Sequence, residues 1–137
     1  MFTAALAERC DRLLAVEPVA LALAAAEARN REKPWVRFAP AFIPQDWPRE
    51  RFDLVVMSEV LDYLGAADVA EVGARLRESL QPGGDVVLVH WVGKKKGGSA
   101  KPSEASEVLI AAAVDYLRPV FQTRNADYRL DVLRRVD

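Results

Sequence analysis

Short apolar runs alternate along the chain with segments of helical period, a pattern that predicts an α/β protein with a largely parallel sheet covered on both faces. Strands are predicted at Leu13-Leu-Ala-Val16, Val36-Arg-Phe38, Leu54-Val-Val-Met57 and Val86-Val-Leu-Val89. Three of these are nearly continuous apolar runs, as expected where both faces of a strand are buried. An amphipathic helix from Phe2 to Arg9 precedes the first strand, and an Ala/Leu-rich helix from Pro18 to Asn30 separates it from the second. Val69, Val72, Leu76 and Leu80, spaced by three and four, mark one face of a third helix, and Pro82-Gly-Gly84 is read as its stop. A fourth helix is predicted from Ser103 to Leu117, with Ile110, Val114 and Leu117 toward the core. Two last strands, Val120 to Arg124 and Tyr128 to Arg134, are joined by Asn125-Ala-Asp127, a link short enough to require an antiparallel pair.

A length of 137 residues points to a single domain over 1–137. Basic and acidic side chains number 19 and 20, so no basic surplus exists to favour nucleic acid. No apolar run is long enough for a membrane span, and the N-terminus lacks the basic-then-apolar pattern of a secretory signal. A lone Cys10 excludes an intrachain disulfide, and with a lone His90 it excludes a closed Cys/His zinc site; a reducing cytoplasm is the expected location. Gly93-Lys-Lys-Lys-Gly-Gly-Ser-Ala100 reads as a solvated surface loop, with a flap over a substrate as the functional alternative.

An α/β unit of this kind normally opens with a strand and a glycine-rich turn that aims a helix N-terminus at an anionic group. Here a helix comes first and the earliest glycine is Gly65, so that strand and its loop are not in the sequence as given.

Three segments converge on a known pattern: Leu14-Ala-Val-Glu17, Arg51-Phe-Asp-Leu-Val-Val-Met-Ser-Glu-Val-Leu-Asp-Tyr-Leu64 and Leu80-Gln-Pro-Gly-Gly-Asp-Val-Val-Leu-Val-His90. In order and spacing they resemble the second, fourth and fifth strand motifs of class I S-adenosylmethionine-dependent methyltransferases. Ser58-Glu-Val-Leu-Asp-Tyr-Leu64, Val89-His-Trp91 and Arg124-Asn-Ala-Asp-Tyr-Arg-Leu-Asp-Val-Leu-Arg134 resemble the nodulation protein S type within that superfamily. The resemblance covers essentially the whole chain. It implies a three-layer Rossmann-like sheet of order 3-2-1-4-5-7-6, mostly parallel with an antiparallel C-terminal hairpin, here an incomplete domain without its first strand. Two further departures stand out. Phe42 occupies the position of an acid that contacts the adenine amino group, with Asp46 nearby, and Asp62 stands where an aromatic residue is common.

The resemblance implies S-adenosylmethionine as cofactor and a small-molecule acceptor, an amine, with an amine carried on a sugar left open. In-line methyl transfer requires alignment and exclusion of water, and no metal. Glu17, ending its strand, is placed for the ribose hydroxyls; its structural alternative is to cap the following helix, and both can hold. Phe42 and Ile43, read as ending the third strand, would sandwich adenine or simply pack in the core. Ser58, Glu59 and Val60 follow the fourth strand, where the family contacts the methionine portion and the reacting methyl. His90 is the candidate catalytic residue, orienting the acceptor or acting as base, and Trp91 and Tyr63 are candidates for the acceptor pocket, each with plain packing as the alternative.

Two other functions compete: a non-catalytic remnant or interaction module that binds no cofactor, and a nicotinamide-dependent oxidoreductase, which the Pro-Gly-Gly corner and closing hairpin fit less well. Without a first strand, the strands at Leu13 and Leu54 have open edges. Direct closure into one six-stranded sheet is the favoured expectation, and a homodimer through the exposed edges is the alternative. The missing loop predicts cofactor affinity no better than about millimolar for this polypeptide alone.

Overall fold

In the computed structural model, which describes residues 2–93 and 104–137, the strands form two separate sheets. The chain divides into two units, Met1–Trp47 and Pro48–Asp137.

The first unit contains α1 (Phe2–Ala7), β1 (Leu13–Val16), α2 (Ala20–Arg29) and β2 (Val36–Ala39). β1 and β2 pair in parallel from Leu13↔Val36 to Val16↔Ala39, with α2 as the crossover that a parallel pair requires. Ala, Leu, Glu and Arg make up all of α2, so intrinsic propensity favours the helix throughout. Asn30 ends it: its backbone N–H donates to the Glu27 carbonyl at 3.2 Å and its side-chain Nδ2 to the Ala26 carbonyl at 2.8 Å. These bonds satisfy carbonyls that the last turn would leave unpaired. The Trp35 indole N–H donates to the Ala7 carbonyl at 2.8 Å and ties the end of α1 to the approach to β2.

The second unit contains β3 (Phe52–Ser58), one turn of 3₁₀ helix (Leu61–Tyr63), α3 (Ala66–Ser79), β4 (Leu80–Trp91), α4 (Glu104–Ala112), β5 (Leu117–Arg124) and β6 (Tyr128–Arg135). The sheet order is β3-β4-β6-β5, with β3 parallel to β4 and the rest antiparallel. Asn125 Oδ1 accepts the N–H groups of Asp127 and Tyr128 at 2.8 and 2.7 Å, the side-chain turn that closes the hairpin. Along β4, Val86, Leu88 and His90 are buried while their neighbours are partly exposed, so the strand alternates although it reads as one apolar run. The covered face continues through Leu133 and Asp131 of β6, and Leu61, Val69, Val72, Leu76, Leu109 and Tyr116 complete this core.

Several elements differ from expectation. The third helix stops at Ser79, before Pro82-Gly-Gly84; buried Leu80 already belongs to β4, and the chain bends at Gly83, φ 77°. At Gly84 a Cβ would lie 2.9 Å from both the Gln81 carbonyl oxygen and Leu80, so this corner admits no side chain. On α4 the inward positions are Ser106 and Leu109, continued by Ala113, while Val114 is 60% exposed and Ile110 half-buried. Ser106 and Ala113 carry no hydrophobic signal by size, yet both are buried, and α3 meets this helix at Gly73, where a Cβ would touch Leu109 and Ala112. The start of this helix at Ser103 and most of the lysine-rich loop, 94–100, lie outside the described residues. The expected single six-stranded sheet is not formed, since β1 and β3 belong to different sheets. β1 has only four residues, and closing so short an edge offers a few ladder bonds of about 1 kcal/mol each. The two sheet orders nevertheless reproduce the implied order on either side of its central strand.

Tyr116, 2% exposed, donates its hydroxyl to the Gly73 carbonyl of α3. Burial, with Asp115 close by, pushes its pKa from 10.0 up to about 12. Between those values the unfolded chain loses the phenolic proton while the folded one keeps it, so stability falls as pH rises. Denaturant unfolding should therefore show full stability of this unit below pH 10 and a loss that grows toward about pH 12. Tyr116→Phe should remove that loss and cost about 1 kcal/mol at neutral pH.

Candidate functional site

In α/β sheets ligands gather outside the carboxyl ends of parallel strands, and this structure has two such ends, one in each unit. In the first, Glu17 extends the ladder past β1, its N–H donating to the Ala39 carbonyl at 3.2 Å. Its Oε1 accepts the Val19 N–H at 3.1 Å, so the carboxylate does sit at the start of α2. Phe42 and Ile43 do not end β2 as expected, because the strand stops at Ala39: Pro40 has no N–H with which to continue the ladder. They lie in the turn beyond, where the Phe42 N–H donates to Asp46 Oδ2 at 2.9 Å and the Asp46 N–H to the Phe42 carbonyl at 2.7 Å. Phe42 is 65% exposed, so core packing does not account for it; Ile43 is half-buried.

In the second unit Ser58, exposed, ends β3 opposite Val89. Glu59 follows in the left-handed conformation, φ 58°, a strained backbone for a residue with a side chain. Two bonds hold it there: its N–H donates to the Val89 carbonyl at 3.0 Å, and its Oε1 accepts the Trp91 N–H at 2.6 Å. Val60 leads into the 3₁₀ turn that carries Asp62 and Tyr63; Tyr63 is 79% exposed, which removes core packing as its role.

His90 and Trp91 do not follow the strand but are its last two residues, because β6 still pairs with both, His90↔Arg129 and Trp91↔Tyr128. Strand alternation then sends them to opposite faces. Trp91 meets Tyr128 edge to face at 5.1 Å. His90 is fully buried, and neither ring nitrogen has a hydrogen-bond partner among the described residues. Its Nδ1 lies 3.9 Å from Asp62 Oδ2, and ligand atoms of Glu59, Asp62 and His90 all fall within 4.8 Å of one another. Burial pushes the imidazole pKa below its ordinary value of 6.5 and Arg129 adds to this, outweighing the opposite pull of Asp62, Glu59 and Asp131. The ring is therefore neutral at pH 7, with one nitrogen lone pair available.

Two residues of this neighbourhood escaped the sequence reading as site residues. Asp62 was noticed only as a departure from a pattern. Asp131 is fully buried and accepts from Gln122 Nε2 at 2.7 Å and Arg129 Nε at 2.9 Å; Arg129 also pairs with Glu107 of α4. The available signal was the period of two in Arg129, Asp131 and Leu133, which places two charges on the face that Leu133 buries.

A family model described as a methyltransferase domain matches residues 1–86. The chain belongs to that family. Over 91 residues it is 38% identical to nodulation protein S of Rhizobium tropici, a match that covers 64% of this chain and 37% of that protein. The chain thus spans little more than a third of that relative. Among solved structures it is similar to the N-methyltransferase NodS from Bradyrhizobium japonicum WM9 in complex with S-adenosyl-L-homocysteine, with a TM-score of 0.80 and 25% identity over 99% of this chain and 72% of that one. The 1,6-didemethyltoxoflavin-N1-methyltransferase of Burkholderia thailandensis shares the fold, with a TM-score of 0.75 and 21% identity over 98% of this chain and 66% of that one. The class I, nodulation protein S-like reading of the sequence agrees with these findings. Among the described residues no helix is long and apolar enough to cross a membrane.

In this methyltransferase-family chain Glu59 combines backbone strain with a charged hydrogen bond, and the two separate by substitution. Glu59→Ala and Glu59→Gly both lose the bond to Trp91, but only alanine still resists the left-handed conformation. Glu59→Gly should unfold in denaturant with about 1 kcal/mol more stability than Glu59→Ala. Equal stabilities would mean that the φ of Glu59 relaxes once its carboxylate is gone.

Proposed function

We propose that this chain carries out S-adenosylmethionine-dependent methyl transfer to a small-molecule amine. The observation that carries this reading is the placement of Glu17, Ser58, Glu59 and His90 at the carboxyl ends of β1, β3 and β4 in a chain of the methyltransferase domain family. The N-methyltransferase NodS, whose structure holds the demethylated cofactor, supports both the cofactor and the amine.

On this reading Glu17 accepts hydrogen bonds from the ribose hydroxyls with the carboxylate that also faces the start of α2. Phe42 and Ile43 offer apolar surface to the adenine. Ser58, Glu59 and Val60 position the methionine portion and the sulfonium. The amine nitrogen attacks the methyl carbon in line, the C–N bond forms as the C–S bond breaks, and the nitrogen gives up one proton. His90, neutral and deep at the end of β4, orients the acceptor or takes that proton, and Trp91 and Tyr63 wall the acceptor pocket. The protein's contribution is chiefly alignment and exclusion of water.

Calorimetric titration of the 137-residue chain with S-adenosylhomocysteine, carried to about millimolar concentrations, tests the cofactor half of the reading. Binding should weaken by about 1–3 kcal/mol in Glu17→Ala, the range for a lost hydrogen bond to a charged group. Undetectable binding would leave a non-catalytic interaction module as the better description, and unchanged affinity in Glu17→Ala would reduce that residue to a helix cap. For the acceptor half, His90→Ala should lower turnover more than it lowers cofactor affinity.

A further inference from the structure

We propose that Glu59, Asp62 and His90 form a binding site for one divalent transition-metal ion of the zinc class, an occupancy of Glu59 and His90 that is alternative to the roles the proposed function gives them. His90 is fully buried, yet among the described residues neither ring nitrogen has a hydrogen-bond partner. An imidazole removed from water without a partner is costly, and such groups in native proteins call for an explanation. Its Nδ1 has a carboxylate oxygen nearby, but the 3.9 Å to Asp62 Oδ2 is too long for a hydrogen bond. That spacing suits a bound ion better. Atoms sharing one tetrahedral metal at about 2.0–2.2 Å stand about 3.3–3.6 Å apart, so closing on an ion needs about half an ångström between His90 Nδ1 and Asp62 Oδ2, now 3.9 Å apart, and somewhat more than about 1 Å for any pair at the 4.8 Å limit of the cluster, a shift of side-chain rotation.

The supports of the cluster point the same way. Glu59 Oε1 already accepts the Trp91 N–H at 2.6 Å, the kind of outer hydrogen bond that fixes the direction of a ligating carboxylate. Asp62 keeps 26% of its side chain exposed and gives an ion a path from water to the buried ring. One imidazole and two carboxylates suit zinc, manganese or ferrous iron, whereas magnesium prefers oxygen donors alone and keeps much of its water. The sequence excludes a closed site of cysteine and histidine and the expected methyl transfer calls for no metal; the 3₁₀ turn after Glu59 brings in a donor set of another kind.

The test is a calorimetric titration of the untagged, chelator-treated 137-residue chain with zinc chloride and, in parallel, magnesium chloride, with no cofactor present. One zinc ion should bind per chain, magnesium should bind far more weakly, and zinc should raise the thermal midpoint, as a ligand selective for the folded state must. Asp62→Asn and Glu59→Gln should each weaken zinc at least about tenfold. Cys10→Ser and Glu78→Gln, remote in kind from the donor set, should leave it unchanged. Because His90→Gln substitutes a buried group and can fail to fold, the decisive variant is Asp62→Asn, checked for native circular dichroism. Absence of zinc binding, binding unaffected by Asp62→Asn, binding lost in Cys10→Ser, or magnesium as tight as zinc would each overturn the proposal. The outcome is independent of the titration with S-adenosylhomocysteine, so the two readings fail separately.

Discussion

The second unit's site depends on one short connection, the pair of hydrogen bonds by which Glu59 spans the carboxyl ends of β3 and β4. Parallel strands have no hairpin to hold their ends in register, and a ladder that stops at Ser58↔Val89 would leave the next residues free to splay. The backbone N–H of Glu59 adds one more rung at Val89, and its carboxylate adds another at Trp91. A left-handed backbone then turns the chain sharply enough that the 3₁₀ helix returns Asp62 toward the end of β4. Strain of about 1–3 kcal/mol at such a residue persists only where the surroundings over-determine it, and here two hydrogen bonds do so.

The buried face of β4 is governed by the same alternation that hides its apolar residues. Val86 and Leu88 enter the core because every second side chain must, and His90 follows them by arithmetic rather than by hydrophobicity. Desolvation is consequently the largest influence on the ring, greater than that of any single carboxylate near it. A histidine reached by solvent would exchange its proton freely near its ordinary value. This one is held neutral beside the carboxylates of Glu59 and Asp62, whose pull on the ring burial outweighs.

How much of this was readable in advance differs by level. Strand and helix identities followed from period, and the buried positions Val69, Val72 and Leu76 were visible as a stripe because spacing of three and four survives in any helical context. The inward face of α4 was not visible, since Ser106 and Ala113 carry no hydrophobic signal and Val114, which does, points outward. For the site, Glu17, Ser58, Glu59 and His90 were legible as strand-end residues by motif and position. Their partners were not: that Asp62 approaches His90 rests on a turn type, and that Asp131 lies opposite Leu88 rests on the register between β4 and β6. Neither is encoded locally.

The charged residues beneath the site bear on why it is placed so closely. Arg129, opposite His90, is half-enclosed between Asp131 and Glu107, and Asp131 is fully buried with Gln122 on its other oxygen. Burying such a group contributes little to stability, because the desolvation of each charge offsets most of the attraction. Its effect is on geometry. A slip of β6 by one residue against β4 would carry Asp131 and Arg129 to the opposite face and part them from Glu107, leaving two charges with unmet hydrogen bonds. An apolar pair in the same places would tolerate that slip far more easily. The network therefore restricts β6 to the one register against β4 in which Arg129 lies opposite His90 and Asp131 opposite Leu88, and so fixes which charges of β6 the buried imidazole feels.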